Sequence, residues 1–158
     1  MAERILIPLD GSNVGEAALS YVKELVSKLS PQAKVEITLL QVVSPLTHYV
    51  FAGEAMAPTP YTDQEIEQNK KQAMGYLKKA GKGLRSQGVT VKTKVVIGSA
   101  AEEIISVADE INADLIAMST HGRSGISRWA FGSITGRVLR GGHKPVLVVR
   151  APKKAAQP

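Results

Sequence analysis

The residues of this chain whose types and spacing suit them to chemistry gather in a few short segments. Pro8-Leu9-Asp10-Gly11-Ser12 sets a carboxylate and a hydroxyl around a glycine, and Met118-Ser-Thr-His-Gly-Arg-Ser-Gly125 brings together hydroxyls, an imidazole, a guanidinium and glycines. After nine residues beyond Gly122, Gly132-Ser133 opens a helical pattern, with Thr135 a further hydroxyl donor. Glycine lets a backbone come close to a ligand, and a helix N-terminus offers unpaired N–H groups with roughly half a positive charge. A phosphate chain is the natural guest of such a set. Read singly, the same glycines and serines only cap a helix and turn a loop; the ligand reading gains weight because two glycine-bearing segments and Asp10 each follow a strand and so converge on one edge of a sheet.

Other chemistries drop out early. The chain has no cysteine, which excludes a disulfide scaffold, thiolate metal sites and a cysteine nucleophile. Gly-x4-Gly-Lys-Ser/Thr, Gly-x-Gly-x2-Gly, His-Glu-x2-His and Gly-x-Ser-x-Gly are all absent, which disfavours an ordinary GTPase, a dinucleotide oxidoreductase, a metalloprotease and an α/β hydrolase. His121 lies within the glycine-bearing segment, whereas His48 and His143 lack the partner spacing of a metal site. Trp129 and Phe131 read as core filling or subunit packing rather than base stacking.

The elements that must position these residues alternate in type. Arg4–Leu9 is a short apolar run closed by Asp10-Gly11-Ser12 and reads as a buried strand. Val14, Ala18, Tyr21, Val22, Leu25, Val26 and Leu29 recur every three or four residues, an amphipathic helix ended by Ser30-Pro31. Val35–Val43 is a second strand. Residues 45–61 hold three of the eight prolines and no clear period, so a long loop is expected there. Thr62-Asp-Gln-Glu65 is a capping-box pattern opening a helix to about Gln87, stopped by Gly88. Val89–Ile97 is a third strand. Ser99-Ala-Ala-Glu102 is a second capping-box pattern opening a helix to Ile111, Ala113–Met118 a fourth strand, Gly132–Arg140 a helix, and Pro145–Arg150 a fifth strand. Such alternation implies right-handed βαβ units, hence a doubly wound, five-stranded parallel sheet with helices on both faces, a Rossmann-like α/β fold. Ligands of such sheets sit beyond the carboxyl ends of the strands.

A chain of 158 residues is the size of one domain; residues 1–150 are assigned to it and 151–158 to a polar, frayed tail. The formal net charge is +6, and it is unevenly placed: residues 115–158 hold eight basic and no acidic residues, leaving 12 basic against 14 acidic before them. Such a field favours an anionic partner, a phosphate ligand or a polyanion, although solvated surface lysines account for part of it. No apolar run nears the ~20 residues of a membrane helix, and no secretion signal opens the chain, so a cytoplasmic protein without a membrane anchor is expected.

Ile5-Leu-Ile-Pro-Leu-Asp-Gly-Ser12, Met118-Ser-Thr-His-Gly-Arg-Ser-Gly-Ile-Ser-Arg-Trp-Ala-Phe-Gly-Ser133 and Lys144-Pro-Val-Leu-Val-Val149 together resemble the universal stress proteins, and the resemblance spans essentially the whole chain. The ATP-binding branch of that family carries Gly-x2-Gly-x9-Gly-Ser/Thr. Here Gly122 and Gly132-Ser133 supply its second and third elements, and Ser119 stands at its first glycine, where it is expected to tighten the loop against ribose or phosphates. The resemblance implies an adenine nucleotide alpha hydrolase-like fold and a bound ATP, AMP or ADP. It implies that Pro8, Leu9 and Asp10 border the nucleoside, with the carboxylate near the ribose or a metal, and that Val42 meets the adenine. Met118 and Ser119 would line the same pocket. Gly122, Arg123, Gly132, Ser133, Ile134 and Thr135 would surround the phosphates, with Mg2+ or Mn2+ screening their charge. Asp10 beside Ser12 also reads as a capping residue, and Arg123 as a solvated cation.

The expected function is a cytoplasmic, ATP-binding regulatory protein of the stress response. No convincing base with an orienting partner is present, so at most slow ATP hydrolysis is expected. The alternatives are a phosphoryl or adenylyl transferase of the related fold and a nucleic-acid binder using the basic C-terminal end, for which a stacking surface is missing. The strand Pro145–Arg150 falls at a sheet edge, and its apolar edge invites a homodimer, as the resemblance also implies.

Overall fold

The structure, a computed structural model, describes residues 2–45, 48–52, 55–85, 89–120 and 132–151. Its strands are β1 (Glu3–Pro8), β2 (Val35–Val43), β3 (His48–Ala52), β4 (Ala55–Thr59), β5 (Val89–Ile97), β6 (Leu115–Thr120) and β7 (Val146–Arg150); its helices are α1 (Glu16–Ser27), α2 (Asp63–Ala80), α3 (Ala100–Glu110) and α4 (Ser133–Gly141).

Five strands form one sheet in the order β5-β2-β1-β6-β7, every neighbouring pair parallel. The expected doubly wound α/β fold is present. Side chains alternate across a strand, and the core divides accordingly. Ile5, Ile7, Ile37, Leu39 and Ala117 pack with Ala18 and Val22 of α1 and Leu77 of α2. Leu6, Leu40, Ile116 and Met118 pack on the other face with Ala101, Ile104 and Val107 of α3 and Val138 of α4. The chain thus runs outward from β1 through β2 to β5 under α1 and α2, then returns to β6 and β7 under α3 and α4. The connections part between β1 and β6, which makes that gap the topological switch point and the place where a doubly wound sheet opens a crevice.

Several expectations change. The stretch 45–61 is not a plain loop: β3 and β4 pair antiparallel from His48↔Thr59 to Ala52↔Ala55. The prolines had masked the strand formers Tyr49-Val50-Phe51 and the two residues, Gly53-Glu54, that separate the arms. α2 ends at Ala80, followed by a 3-10 turn, Gly81–Leu84. A Cβ at Gly81 would lie 3.2 Å from Val91 and 3.3 Å from Leu39, so a bare backbone is what lets the helix end lie against the sheet; the expected stop at Gly88 falls outside the described residues. α1 ends at Ser27, before Ser30-Pro31. Tyr21, Leu25 and Leu29, assigned to its buried face, are exposed, because Ala18 and Val22 carry the contact with the sheet. β6 begins at Leu115 rather than Ala113: Asp114 Oδ2 accepts Arg4 N–H at 2.8 Å and Asp114 N–H donates to Arg4 O, which fixes where β6 joins β1.

Thr62 and Glu65 form the full capping box, each side chain bonded to the other's backbone N–H. Ser99 is the N-cap of α3 but its side chain makes no capping bond; Glu102, its expected box partner, is exposed with its carboxylate 3.7 Å from Arg137. Ala151, placed in the tail, is buried and donates its N–H to Thr120 O.

Candidate functional site

The carboxyl edge of the sheet collects the ends of β1, β2 and β6 and the start of α4. After β1, Leu9 N–H still donates to Leu40 O at 2.7 Å, holding the turn against β2. Asp10 Oδ1 then accepts both the N–H of Ser12, at 2.9 Å, and its hydroxyl, at 2.5 Å, a side-chain-closed turn of the type Asp favours. Gly11 sits at φ +87°, in the left-handed region. Ser12 Oγ in turn accepts Gly15 N–H at 3.1 Å. A Cβ on Gly15 would stand 2.9 Å from Asp10 Oδ1, so close approach requires glycine here. Asp10 therefore organises its own turn, while the N-cap of α1 is Gly15, which has no capping side chain.

Ser119 belongs to the same assembly. Its Oγ accepts Ala18 N–H and donates to Gly15 O, both at 2.8 Å. Met118, its neighbour in β6, is buried among the α3 and α4 residues, because successive side chains of a strand point to opposite faces.

A cleft of about 700 Å3 opens at the end of β2 on the α2 side. Gly11, Gln41, Val42 and Val43 form one wall; Asn69, Gln72, Ala73 and Tyr76, spaced along one face of α2, form the other, with Tyr61 and Ser44 at the rim. None of these lining side chains is charged. The Oε1 of Gln41 is buried and has no hydrogen-bond partner among the described residues. Tyr76 OH donates to Glu16 Oε1 at 2.8 Å; partial burial above all, then that bond and the carboxylates of Glu16 and Asp10, push its phenol well above the ordinary tyrosine range.

At the start of α4, Gly132 is the N-cap, with no side-chain capping bond. Gly132, Ser133 and Ile134 are exposed, Thr135 is buried, and among the described residues nothing lies within 4 Å of where a Cβ on Gly132 would be. The first N–H groups of a helix have no partner inside it, so this end presents donors that no described side chain caps.

The expected site residues that are described thus fall at one edge but differ in accessibility. Asp10, Gly132, Ser133 and Ile134 are exposed; Pro8, Val42 and Ser119 are half-buried; Leu9, Met118 and Thr135 are buried. Gly122 and Arg123, with His121, Trp129 and Phe131, lie outside the described residues. Gln41, Tyr61, Asn69, Gln72 and Tyr76 were not foreseen. The trace of them in the sequence is the 69, 72, 73, 76 spacing, which puts amides and a phenol on one helical face. Among the described residues no three His, Asp or Glu side chains cluster as a metal cage, and no helix is long and apolar enough to cross a membrane.

A fold wound about a β1/β6 switch point, with an Asp-Gly-Ser turn after β1 and a Gly-Ser helix start after β6, defines a doubly wound α/β protein of the class that opens its crevice at the carboxyl edge of the sheet. The universal stress protein family profile matches residues 1–150, and the chain belongs to that family. It is 33% identical over 152 residues to universal stress protein MJ0531 of Methanocaldococcus jannaschii, covering 96% of this chain and 84% of that protein. It is 30% identical to MJ0577 of the same organism, covering 95% and 96%. The solved structure of MJ0577 superposes with a TM-score of 0.70 at 28% identity, covering 97% of this chain and 99% of the other. More distant structures share the fold. An Archaeoglobus fulgidus universal stress protein solved with dAMP has a TM-score of 0.60 at 18% identity, covering 94% and 98%; an Arabidopsis thaliana family protein solved with AMP has 0.64 at 12%, covering 99% of both chains.

Proposed function

We propose that this universal stress protein binds an adenine nucleotide, ATP or its AMP and ADP relatives, at the carboxyl edge of the sheet, and works in the cytoplasm as a homodimeric regulator. The observation that carries the reading is the division of the edge by polarity. Among the described residues, the cleft at β2 is lined by no charged side chain and holds, beside Val42, a buried amide oxygen without a donor; the start of α4 is exposed, side-chain-free at its cap and rich in N–H donors. A base with an exocyclic amino group fits the first and a phosphate chain the second. Asp10 follows β1, which lies between β2 and β6 in the sheet, and so stands on the same edge between the two, where a ribose would pass. The dAMP and AMP bound by the Archaeoglobus and Arabidopsis proteins support an adenine nucleotide as the guest.

Gly122 and Arg123 are assigned to the phosphates with Gly132, Ser133, Ile134 and Thr135. Mg2+ or Mn2+ would be held through the phosphates or beside the Asp10 carboxylate, whose Oδ1 is bonded to Ser12. The reading is one of binding, and steady turnover with an acceptor substrate would mark a transferase instead.

Ser133→Asp separates helix from ligand. A carboxylate in the first turn favours the helix but repels phosphate, so folding should persist while ATP affinity, measured by calorimetry, falls by about tenfold or more. Unchanged affinity would remove α4 from the site. Gly122→Val should abolish ATP binding with the fold retained.

A further inference from the structure

We propose that Ser119 is a positioning residue: it supplies across the fold the N-terminal cap that α1 lacks, and so holds the Asp10–Gly15 turn at the rim of the site. The assignment of a ligand to that rim rests on the nucleotide reading above; the cap does not.

Gly15 caps α1 without a side chain, and Ala18, three residues on, is fully buried. A buried N–H needs a partner. Ala17 N–H already takes Val14 O, and the partner of Ala18 N–H is Ser119 Oγ, at 2.8 Å from 101 residues away. The same hydroxyl donates its proton to Gly15 O at 2.8 Å. Since a carbonyl only accepts and an amide N–H only donates, the hydroxyl hydrogen is fixed by this pair. A serine has one proton to give, so Ser119 cannot also donate to a phosphate or ribose oxygen without releasing Gly15.

The tie continues to the carboxylate. Gly15 N–H donates to Ser12 Oγ, and Ser12 donates to Asp10 Oδ1 through both its hydroxyl and its N–H. Ser119 thus anchors, from the end of β6, the turn that follows β1, and bridges the two sides of the switch point. Strand alternation explains why it does not crowd the edge: Ala117 packs with Ala18 and Val22, and Ser119, two residues on, points to the same α1 side. The expectation that a serine at the motif's first glycine presses on the ligand is replaced by an opposite one: restoring glycine weakens binding.

The experiment compares Ser119→Gly and Ser119→Thr with the wild type by amide hydrogen exchange of the ligand-free protein and by calorimetry with ATP. In the glycine variant, exchange at Ala18 should quicken by about fivefold or more, the usual worth of a lost cap, and ATP affinity should fall several-fold. The threonine variant, which keeps the hydroxyl, should restore both. Unaltered Ala18 exchange in the glycine variant overturns the cap. Tighter ATP binding by glycine, or a threonine variant that behaves like glycine, overturns the positioning role. A wild type that binds no ATP defeats the nucleotide reading and the ligand-facing role with it, while the cap is still decided by exchange at Ala18.

Discussion

Gln41 and Tyr76 face one cleft and illustrate opposite ways of carrying a polar group indoors. The Gln41 oxygen has no partner among the described residues, and a buried acceptor left unpaired costs about 1–3 kcal/mol. Gln41→Met keeps the length of the side chain and removes the acceptor, so the ligand-free protein should melt higher, by roughly 2–4 °C per kcal/mol gained at this size. Calorimetric melting checks it, and a lower melting temperature would mean that the amide is bonded after all. Tyr76 is paired, to Glu16, and its phenol is pushed above its ordinary value chiefly by burial, then by that bond and the neighbouring carboxylates. The folded state therefore holds the phenolic proton more tightly than the unfolded chain. That contribution is fully present below the ordinary tyrosine value of about 10 and is lost as pH rises above it. In melting curves between pH 8 and 11, Tyr76→Phe should lose less stability with rising pH than the wild type. Parallel curves would dismiss the coupling. Asp10→Ala should loosen the Ser12 turn and weaken ATP binding mildly; full affinity would confine Asp10 to shaping its turn.

At the scale of elements, two helices begin with the same sequence pattern and only one uses it. Thr62 and Glu65 complete their capping box, but Ser99 makes no side-chain capping bond. Thr62→Ala should therefore cost about 1 kcal/mol, the typical value of an N-cap, and Ser99→Ala a few tenths at most, as measured by denaturant unfolding. Equal losses would show that the Ser99 box forms in solution. The strands read more faithfully than the caps. Ile5-Leu6-Ile7 and Leu39-Leu40 are apolar on both faces because both faces of a parallel sheet are covered, and that composition is visible without knowing their neighbours. β3 and β4 were missed because Pro58 and Pro60 speak for a loop, whereas the pairing of Val50 with Ala57 is a property of two segments together.

For the molecule as a whole, the proposed homodimer turns on the edge strand. β7 is the last strand of the sheet. Pro145 O accepts Ile116 N–H and Ala151 N–H donates to Thr120 O, so the odd-numbered positions face β6 and the backbone of Val146, Val148 and Arg150 faces outward. Among the described residues no strand pairs with that outer side; an apolar edge of this kind invites a second strand, and the proposed homodimer uses it. Val148→Pro removes an outward donor while sparing the bonds to β6, and an edge strand tolerates the ring. Sedimentation at micromolar concentration should show a dimer that becomes a folded monomer in this variant. A wild-type monomer, or a variant that remains dimeric, places the interface elsewhere.

Sequence alone determined the alternation of strand and helix, the parallel sheet that follows from it, and the glycine, serine and aspartate segments at the strand ends. These are local quantities: hydrophobic period and the backbone freedom of Gly11 are written within a few residues of where they act. Tertiary structure alone decided what those segments touch. The cleft joins Gln41 to a helical face some thirty residues later, Tyr76 finds Glu16 across 60 residues, and Ser119 finds Ala18 across 101. A hydroxyl reads the same in sequence whether it meets a ligand or caps a distant helix, because the choice depends on which face of β6 it occupies and on which helix the winding of the chain lays over that face.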